Sequence, residues 1–242
     1  MYLTIDMGNS ATKLVLFEQD ELVFARTYKA IGSTELKQLL DQFAPARSIL
    51  ASVVSTPLRI TSLLKQQTRF ISLNASTALP VINRYETPRT LGKDRLAGVI
   101  GAAALFPGKN ILVIDAGTCV KYDFINSRKE YMGGSISPGL LMRYKSLHEF
   151  TGKLPLIKPG TPGSFIGKNT RDAILTGVEV GIENEISGFI KMYKKRYKSL
   201  KLVITGGDAP RFVRKLNLPI FAAPDLVNIG LKEILKFHDS KE

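Results

Sequence analysis

The sequence contains one cysteine, two histidines and no tryptophan. A single cysteine excludes an internal disulfide, and the position of Cys119 within a predicted strand indicates a buried small apolar side chain. Two histidines and one cysteine do not match the spacing of any usual zinc site. His148 is predicted on the surface of a helix and His238 near the end of the chain.

The sequence also lacks an apolar run of the roughly 20 residues that a membrane helix needs. Its first residues enter a predicted strand directly, without a basic-then-apolar signal segment. With 242 residues, 44% of them hydrophobic, the chain is long enough for one large domain or two small ones and apolar enough to form a core. We therefore expect a soluble cytoplasmic protein with no membrane partner.

Acidic residues are outnumbered, and the formal net charge is +13 at pH 7. Cations at the end of a long predicted helix favour its dipole, so a solvated face is the simplest interpretation of the main basic cluster. No nucleic-acid motif accompanies this charge, and we expect no nucleic-acid partner. A positive potential would instead attract an anionic nucleotide. The cluster comprises Lys191, Lys194, Lys195, Arg196, Lys198 and Lys201.

Residues 1–17 predict a strand, a tight turn and a second strand. The turn is rich in glycine, asparagine and serine, which tolerate the positive φ of a short hairpin and leave backbone N–H groups available to a phosphate. Asp6 could hold Mg²⁺ through a water, and Lys13 would add a positive charge. Ser10 or Thr12 could donate a hydroxyl. An ordinary surface hairpin explains this stretch equally well.

Residues 110–125 repeat the pattern and favour the phosphate interpretation. Asp115 and Gly117 correspond to Asp6 and Gly8, nearly half the chain away, and the second turn is one residue shorter. Two such hairpins predict a duplicated domain, with the phosphate-facing turns on either side of a cleft.

The order of predicted elements supports duplication. Three strands followed by alternating helices and strands are typical of a ribonuclease-H-like half, and the second half repeats this order loosely. The boundary falls at the Phe106-Pro107-Gly108 turn. We predict an α/β protein with two mixed-sheet halves, 1–108 and 109–242, and a nucleotide cleft between them. The main predicted helices are 33–43, 57–67, 96–106, 138–149, 170–197, one from 209, and 225–237.

These features resemble the acetate kinase, sugar kinase, Hsp70 and actin superfamily, whose members bind ATP between two such halves. The segment from Tyr85 to Arg95 resembles the Tyr-x-x-Pro-x-x-Leu-Gly-x-Asp-Arg pattern of type III pantothenate kinases. Four further motifs follow the order of that family. They are Asp6-Met7-Gly8-Asn9-Ser10, Ile114-Asp115-Ala116-Gly117-Thr118, Gly133-Gly134-Ser135-Ile136-Ser137-Pro138-Gly139 and Asn169-Thr170-Arg171-Asp172-Ala173-Ile174.

The resemblance implies ATP-dependent phosphorylation of pantothenate to 4'-phosphopantothenate, the first step of coenzyme A biosynthesis. Asp94 corresponds to the general base that accepts the proton of the primary hydroxyl, whereas its residue type and place before a helix also fit a simple N-cap. The implied substrate residues are Tyr85, Gly92, Lys93, Asp94, Arg95 and Thr170. The implied nucleotide residues are Asp6, Gly8, Asn9, Ser10, Thr12, Lys13, Thr118, Gly206 and Gly207.

The same resemblance implies Mg²⁺ with ATP, involving Asp6, and a potassium or ammonium ion at Asp115. It also implies a homodimer, for which the apolar stripe of helix 170–197 is a plausible surface unless those side chains are core. The stripe comprises Ile174, Val178, Ile182, Ile186, Phe189 and Ile190. Residues 119–122, Cys-Val-Lys-Tyr, depart from the small residues and threonine common in the family.

Two other functions remain open. One is a sugar or other small-alcohol kinase of the same superfamily. The other is a non-catalytic, nucleotide-binding regulatory relative, which the net charge of +13 suggests.

Overall fold

The structure is a computed structural model that describes residues 1–241. In chain order the elements are β1 (Tyr2–Met7), β2 (Thr12–Glu18), β3 (Glu21–Tyr28), α1 (Ser33–Phe43), β4 (Arg47–Ser52), α2 (Leu58–Gln67), β5 (Arg69–Ser72), β6 (Ile82–Asn83), α3 (Lys93–Leu105), β7 (Ile111–Ala116), β8 (Cys119–Ile125), β9 (Glu130–Pro138), α4 (Leu140–Glu149), α5 (Thr170–Arg196), β10 (Lys201–Thr205), α6 (Ala209–Leu216), β11 (Ile220–Ala222) and α7 (Leu226–Asp239).

The contacts divide the chain into two compact units. The first contains Met1–Gly108, Ile125–Gly133 and the C-terminal segment from Asp225, and the second contains Lys109–Phe124 and Gly134–Pro224. Two segments that follow residue 108 in sequence thus belong with the first unit, so neither unit is one continuous stretch of the chain.

The first unit contains a five-stranded sheet in the order β3-β2-β1-β4-β5. The first three strands are antiparallel, and β4 and β5 run parallel to β1. Its core joins the apolar positions of β1 and β2 to the inner faces of α1 and α2. This is the mixed sheet expected of a ribonuclease-H-like half.

The other sheet has six strands in the order β11-β10-β7-β8-β9-β6. The two-residue strand β6, which sequence patterns did not predict, pairs with Glu130 and Tyr131 at the start of β9. Together the two mixed sheets confirm the predicted duplicated α/β fold.

The apolar stripe of α5 belongs to the core of the second unit. Ile182 and Ile186 are fully buried, and Ile174, Val178 and Ile190 are nearly so, against the apolar side chains of β7 and β10. The ring of Phe189 stacks on Tyr122 at a centroid distance of 3.9 Å. The prediction of this stripe as a dimer surface is therefore wrong, because its side chains are already used within the monomer.

Helices α3 and α7 pack closely within the first unit. A Cβ added to Gly101 would lie 2.3 Å from the backbone oxygen of Leu226, and one added to Gly230 would lie 1.8 Å from that of Ala97. Asn228 of α7 in turn donates to Thr4 Oγ1 of β1 at 3.0 Å. The last helix of the chain thus completes the core around the first strand.

Several predicted boundaries move by a few residues. Helix α1 keeps its predicted bounds, whereas α3 begins at Lys93, earlier than the predicted 96–106, with Gly92 as its N-cap. Cys119 is partly exposed, so the prediction that it is buried is wrong. Among residues 1–241, no helix is both long and apolar enough to span a membrane.

Candidate active site

The first hairpin places Asp6 opposite Lys13. These two residues are partners in the antiparallel register of β1 and β2, and the turn between them is closed by a 3.0 Å hydrogen bond from Gly8 N–H to the Ala11 oxygen. Asn9 and Ser10 are exposed at the tip, whereas Thr12 is 4% exposed. Of the predicted hydroxyl donors, Ser10 is therefore the accessible one. The predicted positive φ is wrong, since none of the residues in this described turn has one.

Lys13 forms an ion pair that local sequence patterns did not reveal. Its Nζ lies 2.7 Å from Asp225 Oδ1, and Asp225 immediately precedes α7. The two residues belong to the same compact unit but lie at opposite ends of the chain. Only the tertiary packing of α7 brings them together. Asp225 is thus a member of the first hairpin's polar environment that sequence reasoning missed.

The predicted substrate residues Tyr85 and Arg95 lie together. The Arg95 guanidinium carbon is 5.5 Å from the centroid of the Tyr85 ring, and Tyr85 stacks on Tyr131 at 6.1 Å. Gly133, with φ of +100°, lies next to the Tyr85 ring, and a Cβ there would be 3.4 Å from it. Arg95 itself is buried. Tyr85 and Arg95 thus form one aromatic and cationic cluster.

Asp94 lies in the first turn of α3 but is not its N-cap. Gly92 occupies that position, and Leu96 N–H donates to the Gly92 oxygen at 3.2 Å. Asp94 Oδ1 accepts from Arg95 N–H at 2.9 Å. The N-cap interpretation of Asp94 is therefore wrong. Its carboxylate lies at the positive end of a helix, adjacent in sequence to the buried Arg95.

The second hairpin carries Asp115 at the end of β7, and its turn is closed by a 3.0 Å bond from Gly117 N–H to the Cys119 oxygen. Gly139 lies against this turn and donates to the Thr118 oxygen at 3.1 Å. A Cβ on Gly139 would lie 2.2 Å from the Gly117 oxygen. This close contact explains why glycine is needed at Gly139, and it fixes the backbone of predicted nucleotide residue Thr118.

The Gly206-Gly207 turn meets the same hairpin. Gly206 has φ of +93°, and a Cβ there would lie 2.3 Å from the Ala116 oxygen and 2.6 Å from Asp115 Oδ1. Asp208 N–H donates to the Ala116 oxygen at 2.9 Å. Burial raises the pKa of Asp208 above its usual value. The structure therefore brings predicted residues Asp115, Thr118 and Gly206 into one local arrangement.

Asp115 is ion-paired with Lys121. Lys121 Nζ lies 2.7 Å from Asp115 Oδ2, and both side chains are about four-fifths buried, at 19% and 20% exposure respectively. The carboxylate thus has one oxygen against the Gly206 turn and the other against an ammonium group. A monovalent cation placed on Oδ2 would have to displace Lys121.

Thr170 is the first residue of α5, where Asn169 is the N-cap and accepts from Asp172 N–H at 2.9 Å. Thr170 lines a cavity of about 620 Å³ between α4, α5 and the segment that joins them. Arg143 and Ser146 contribute polar groups to this cavity, and Leu154 contributes an apolar wall. Thr170 therefore lies at an open pocket of the second unit.

A buried carboxylate supports this part of the second unit. Glu179 is fully buried, and it accepts from Tyr144 Oη at 2.9 Å and from Gly160 N–H at 3.1 Å. Arg211, in the first turn of α6, pairs with Glu179 and also donates to the Gly160 oxygen at 2.7 Å. Such a network links the segment before Thr170 to the helix that follows the Gly206 turn.

Neither histidine contributes to the groups described above. His148 Nδ1 lies 2.8 Å from the Leu154 oxygen, and His238 Nε2 lies 3.0 Å from the Ala78 oxygen. Within residues 1–241, no group of three or more His, Cys, Asp or Glu side chains could hold a metal ion. A divalent ion at Asp6 would therefore take most of its ligands from phosphates and water.

Comparison with known proteins places this geometry in context. A family model described as type III pantothenate kinase matches residues 2–192. A protein named type III pantothenate kinase from Bacteroides fragilis (strain YCH46) is 43% identical over 242 residues, covering 100% of both chains.

Two solved structures are similar in fold. One is a conserved Campylobacter jejuni protein described as a candidate Baf family transcriptional activator, with a TM-score of 0.61, 23% identity, and coverage of 98% of this chain and 99% of that one. The other is a candidate 2-dehydro-3-deoxygalactonokinase from Sinorhizobium meliloti, with a TM-score of 0.61, 15% identity and the same coverage.

Proposed function

The chain belongs to the type III pantothenate kinase family, phosphotransferases that phosphorylate pantothenate in coenzyme A biosynthesis, and we propose which of its residues carry out the reaction. The observation that carries the proposal is the local arrangement of Tyr85, Asp94 and Arg95 at the start of α3. This arrangement provides a carboxylate, a guanidinium and an aromatic face within a single compact unit.

Asp94 acts as the general base. It accepts the proton of the primary hydroxyl of pantothenate as that oxygen attacks the γ-phosphorus of ATP, and the bond from that phosphorus to the bridging oxygen of ADP breaks. Its carboxylate lies in the first turn of α3, at the N-terminal end of the helix. One carboxylate suffices because phosphoryl transfer depends mainly on positioning and charge stabilisation.

Arg95 and Tyr85 orient the substrate. A guanidinium can bind a carboxylate through two parallel hydrogen bonds, and pantothenate carries one carboxylate. The contact with Tyr85 restricts the Arg95 side chain before substrate arrives. Gly92 and Lys93, directly before Asp94, are further predicted substrate residues, as is Thr170 at the start of α5.

The residues of the two hairpins and of the Gly206-Gly207 turn are the ones that we expect to contact ATP. Backbone N–H groups in the turns and Lys13 hold the phosphates, with Asn9 and Ser10 at the exposed tip of the first hairpin. Mg²⁺ would accompany ATP and neutralise charge on the phosphates, and Asp6 is the residue that would help to hold it. Gly206 and Gly207 let the backbone approach the adenosine. A potassium or ammonium ion at Asp115 remains a prediction of the family resemblance, and we propose a different occupant below.

The protein forms a homodimer in the cytoplasm. Because the apolar stripe of α5 is buried, the dimer surface must lie elsewhere. The segment through β9, α4 and the chain that follows exposes several large apolar side chains within the second unit, which is typical of an interface. They are Ile136, Leu141, Met142, Phe150, Phe165 and Ile166.

The test of the base assignment is the Asp94→Asn variant. We expect kcat to fall by about 10² to 10⁴-fold, the usual contribution of a positioned general base, with a much smaller effect on KM for pantothenate. Product is measured directly as phosphopantothenate. Glu35→Gln is a matched control, since Glu35 is also an acidic residue in the first turn of a helix, and it should retain wild-type turnover. Near-normal kcat in Asp94→Asn would refute the assignment.

A substrate panel separates the rival functions. Pantothenate should be phosphorylated, whereas hexoses and other small alcohols should not. Activity on a hexose with none on pantothenate would favour a sugar kinase. Salt-sensitive DNA binding without ATP turnover would instead favour a regulatory relative.

A further inference from the structure

The second hairpin of this chain contains an ion pair between Asp115 and Lys121. Lys121 lies in the stretch 119–122, which departs from the residues common in the family. Its ammonium group lies 2.7 Å from Asp115 Oδ2, the carboxylate for which the resemblance implies a monovalent cation. The pair is thus located at the expected cation position.

We propose that the Lys121 ammonium group takes the place of the monovalent cation, so that this kinase turns over without potassium or ammonium. The proposal rests on the proposed function, because the charge matters only if phosphates bind at this hairpin. Lys121 carries the same single positive charge as potassium, and chemically it is an ammonium ion tethered to strand β8.

The surroundings of Asp115 favour the tethered group. Oδ1 faces the Gly206 turn, where a Cβ would approach to 2.6 Å, and Oδ2 accepts from Lys121. With both side chains about four-fifths buried, this attraction is screened less than that of an exposed pair. A free ion would have to displace the lysine and leave its charge partly buried, which is costly.

The internal duplication provides a parallel. Allowing for the one-residue shorter turn, Lys121 occupies the position that Lys13 has in the first hairpin, where it is the register partner of Asp6. Lys13 is also ion-paired at 2.7 Å, with Asp225. Each hairpin therefore carries its own fixed cation beside the strand end where a phosphate is expected. A fixed cation needs no loading from solution.

The first experiment measures kinase activity in tetramethylammonium buffer free of potassium and ammonium. Phosphopantothenate is quantified by chromatography, so that no coupling enzyme adds a cation requirement of its own. Replacing about 100 mM tetramethylammonium chloride by KCl, at constant ionic strength and therefore constant screening, should change the wild-type kcat/KM less than about twofold. In Lys121→Met, kcat/KM without potassium should fall about tenfold or more and recover on adding KCl. Lys65→Met, an exposed lysine variant on α2, is the control and should behave as wild type.

The second experiment locates the cation. Thallium(I), a potassium surrogate with strong anomalous scattering, is soaked into crystals of both forms. We expect no thallium at Asp115 in the wild type and a bound ion there in Lys121→Met. Thallium at Asp115 in the wild type, a potassium requirement of tenfold or more in the wild type, or full potassium-free activity in Lys121→Met would each overturn the proposal.

The two experiments distinguish a failure of the proposed function from a failure of the proposal about Lys121. If the wild type phosphorylates no pantothenate in either buffer, the proposed function fails and the thallium result alone decides which group occupies the cation position. The two wild-type measurements also decide the proposal if Lys121→Met does not fold.

Discussion

Glu130 holds the segment that positions Tyr85. Its Oε1 accepts from Arg84 at 2.8 Å, and its Oε2 accepts from Asn126 Nδ2 at 2.7 Å and also pairs with Arg128. Hydrogen bonds from Asn126 and then Arg84 lower the pKa of Glu130 from its usual 4.5 to about 2. A single carboxylate thus connects β6, the strand just before Tyr85, with the start of β9.

The lowered pKa of Glu130 predicts a stability effect in acid. Because the folded pKa is below the unfolded one, the ionised group stabilises the fold fully above pH 4.5, and this contribution is lost as the pH falls through about 2. Glu130→Gln should therefore lower the free energy of unfolding near neutral pH, with the difference from wild type shrinking between pH 4.5 and 2.

Carboxyl-carbon NMR titration measures the Glu130 pKa directly. Asn126→Ala removes its principal hydrogen bond and should raise the midpoint towards 4.5. A wild-type midpoint already close to 4.5 would contradict the assignment.

Sequence motifs identified residues but not all of their partners. The pattern from Tyr85 to Arg95 named both members of the cation–π pair, because motif and contact lie on neighbouring segments. Asp225 and Glu130 carry no motif, and the packing of distant segments is what brings Asp225 to Lys13 and Glu130 to Arg84. Lys121 was noticed only as a departure from the family pattern, and its ion pair with Asp115 required the structure.

At the scale of elements, the contact of α3 with α7 is closer than ordinary side-chain packing allows. The backbones approach at Gly101 and Gly230, where a methyl group would overlap the carbonyl oxygens of the facing helix. Asp94 and Arg95 lie in the first turn of α3, so this contact also fixes the helix that carries them.

Gly230→Ala should destabilise the protein by about 3 kcal/mol or more, at the upper end of overpacking costs, because its Cβ would meet backbone that cannot rotate away. Gly98→Ala is the matched control on α3. No atom outside the local helix backbone lies within 4 Å of its added Cβ, and the helix propensity of alanine should stabilise the protein by up to about 1 kcal/mol. Urea unfolding measures both variants. Equal stability of the two would contradict the close-packing account.

The existence of α3 was predictable, but its environment was not. The sequence from Leu96 predicts a helix, and it is so uniformly apolar that no single buried face stands out; in the structure the helix is buried almost all round. For α5 the opposite occurred: a clear apolar stripe suggested a surface, and the stripe is core. Periodicity indicates which side chains leave water, but it does not identify what covers them.

At the scale of the whole molecule, the compact units do not follow the order of the sequence. Helix α7 ends the chain yet belongs to the unit that contains β1. Besides the Asn228 bond to Thr4, Asp239 at the end of α7 pairs with Arg47 and accepts from Tyr2, and the bond from Tyr2 is the main reason why the pKa of this tyrosine is raised to about 12. The predicted second half, 109–242, includes α7, because duplication was inferred only from the order of elements along the chain.

A chain ending at Pro224 should therefore fail to fold its first unit. It would lose the burial of Leu226, Leu231, Ile234 and Leu235, all fully buried, at about 1.5 to 3 kcal/mol each, which together approaches or exceeds the total stability of a typical domain. Circular dichroism and soluble yield measure this loss. A chain ending at Asp239 keeps α7 complete and should match the full-length protein. A cooperative native transition in the shorter chain would contradict this view.

The packing of α7 with β1 also has a consequence for protein synthesis. A ribosome releases the amino end first, so β1 and α3 emerge long before α7, and the apolar surfaces that α7 covers stay exposed until it has been synthesised. This unit therefore cannot complete its fold before α7 has left the ribosome, and apolar surface exposed in the interval is prone to aggregation.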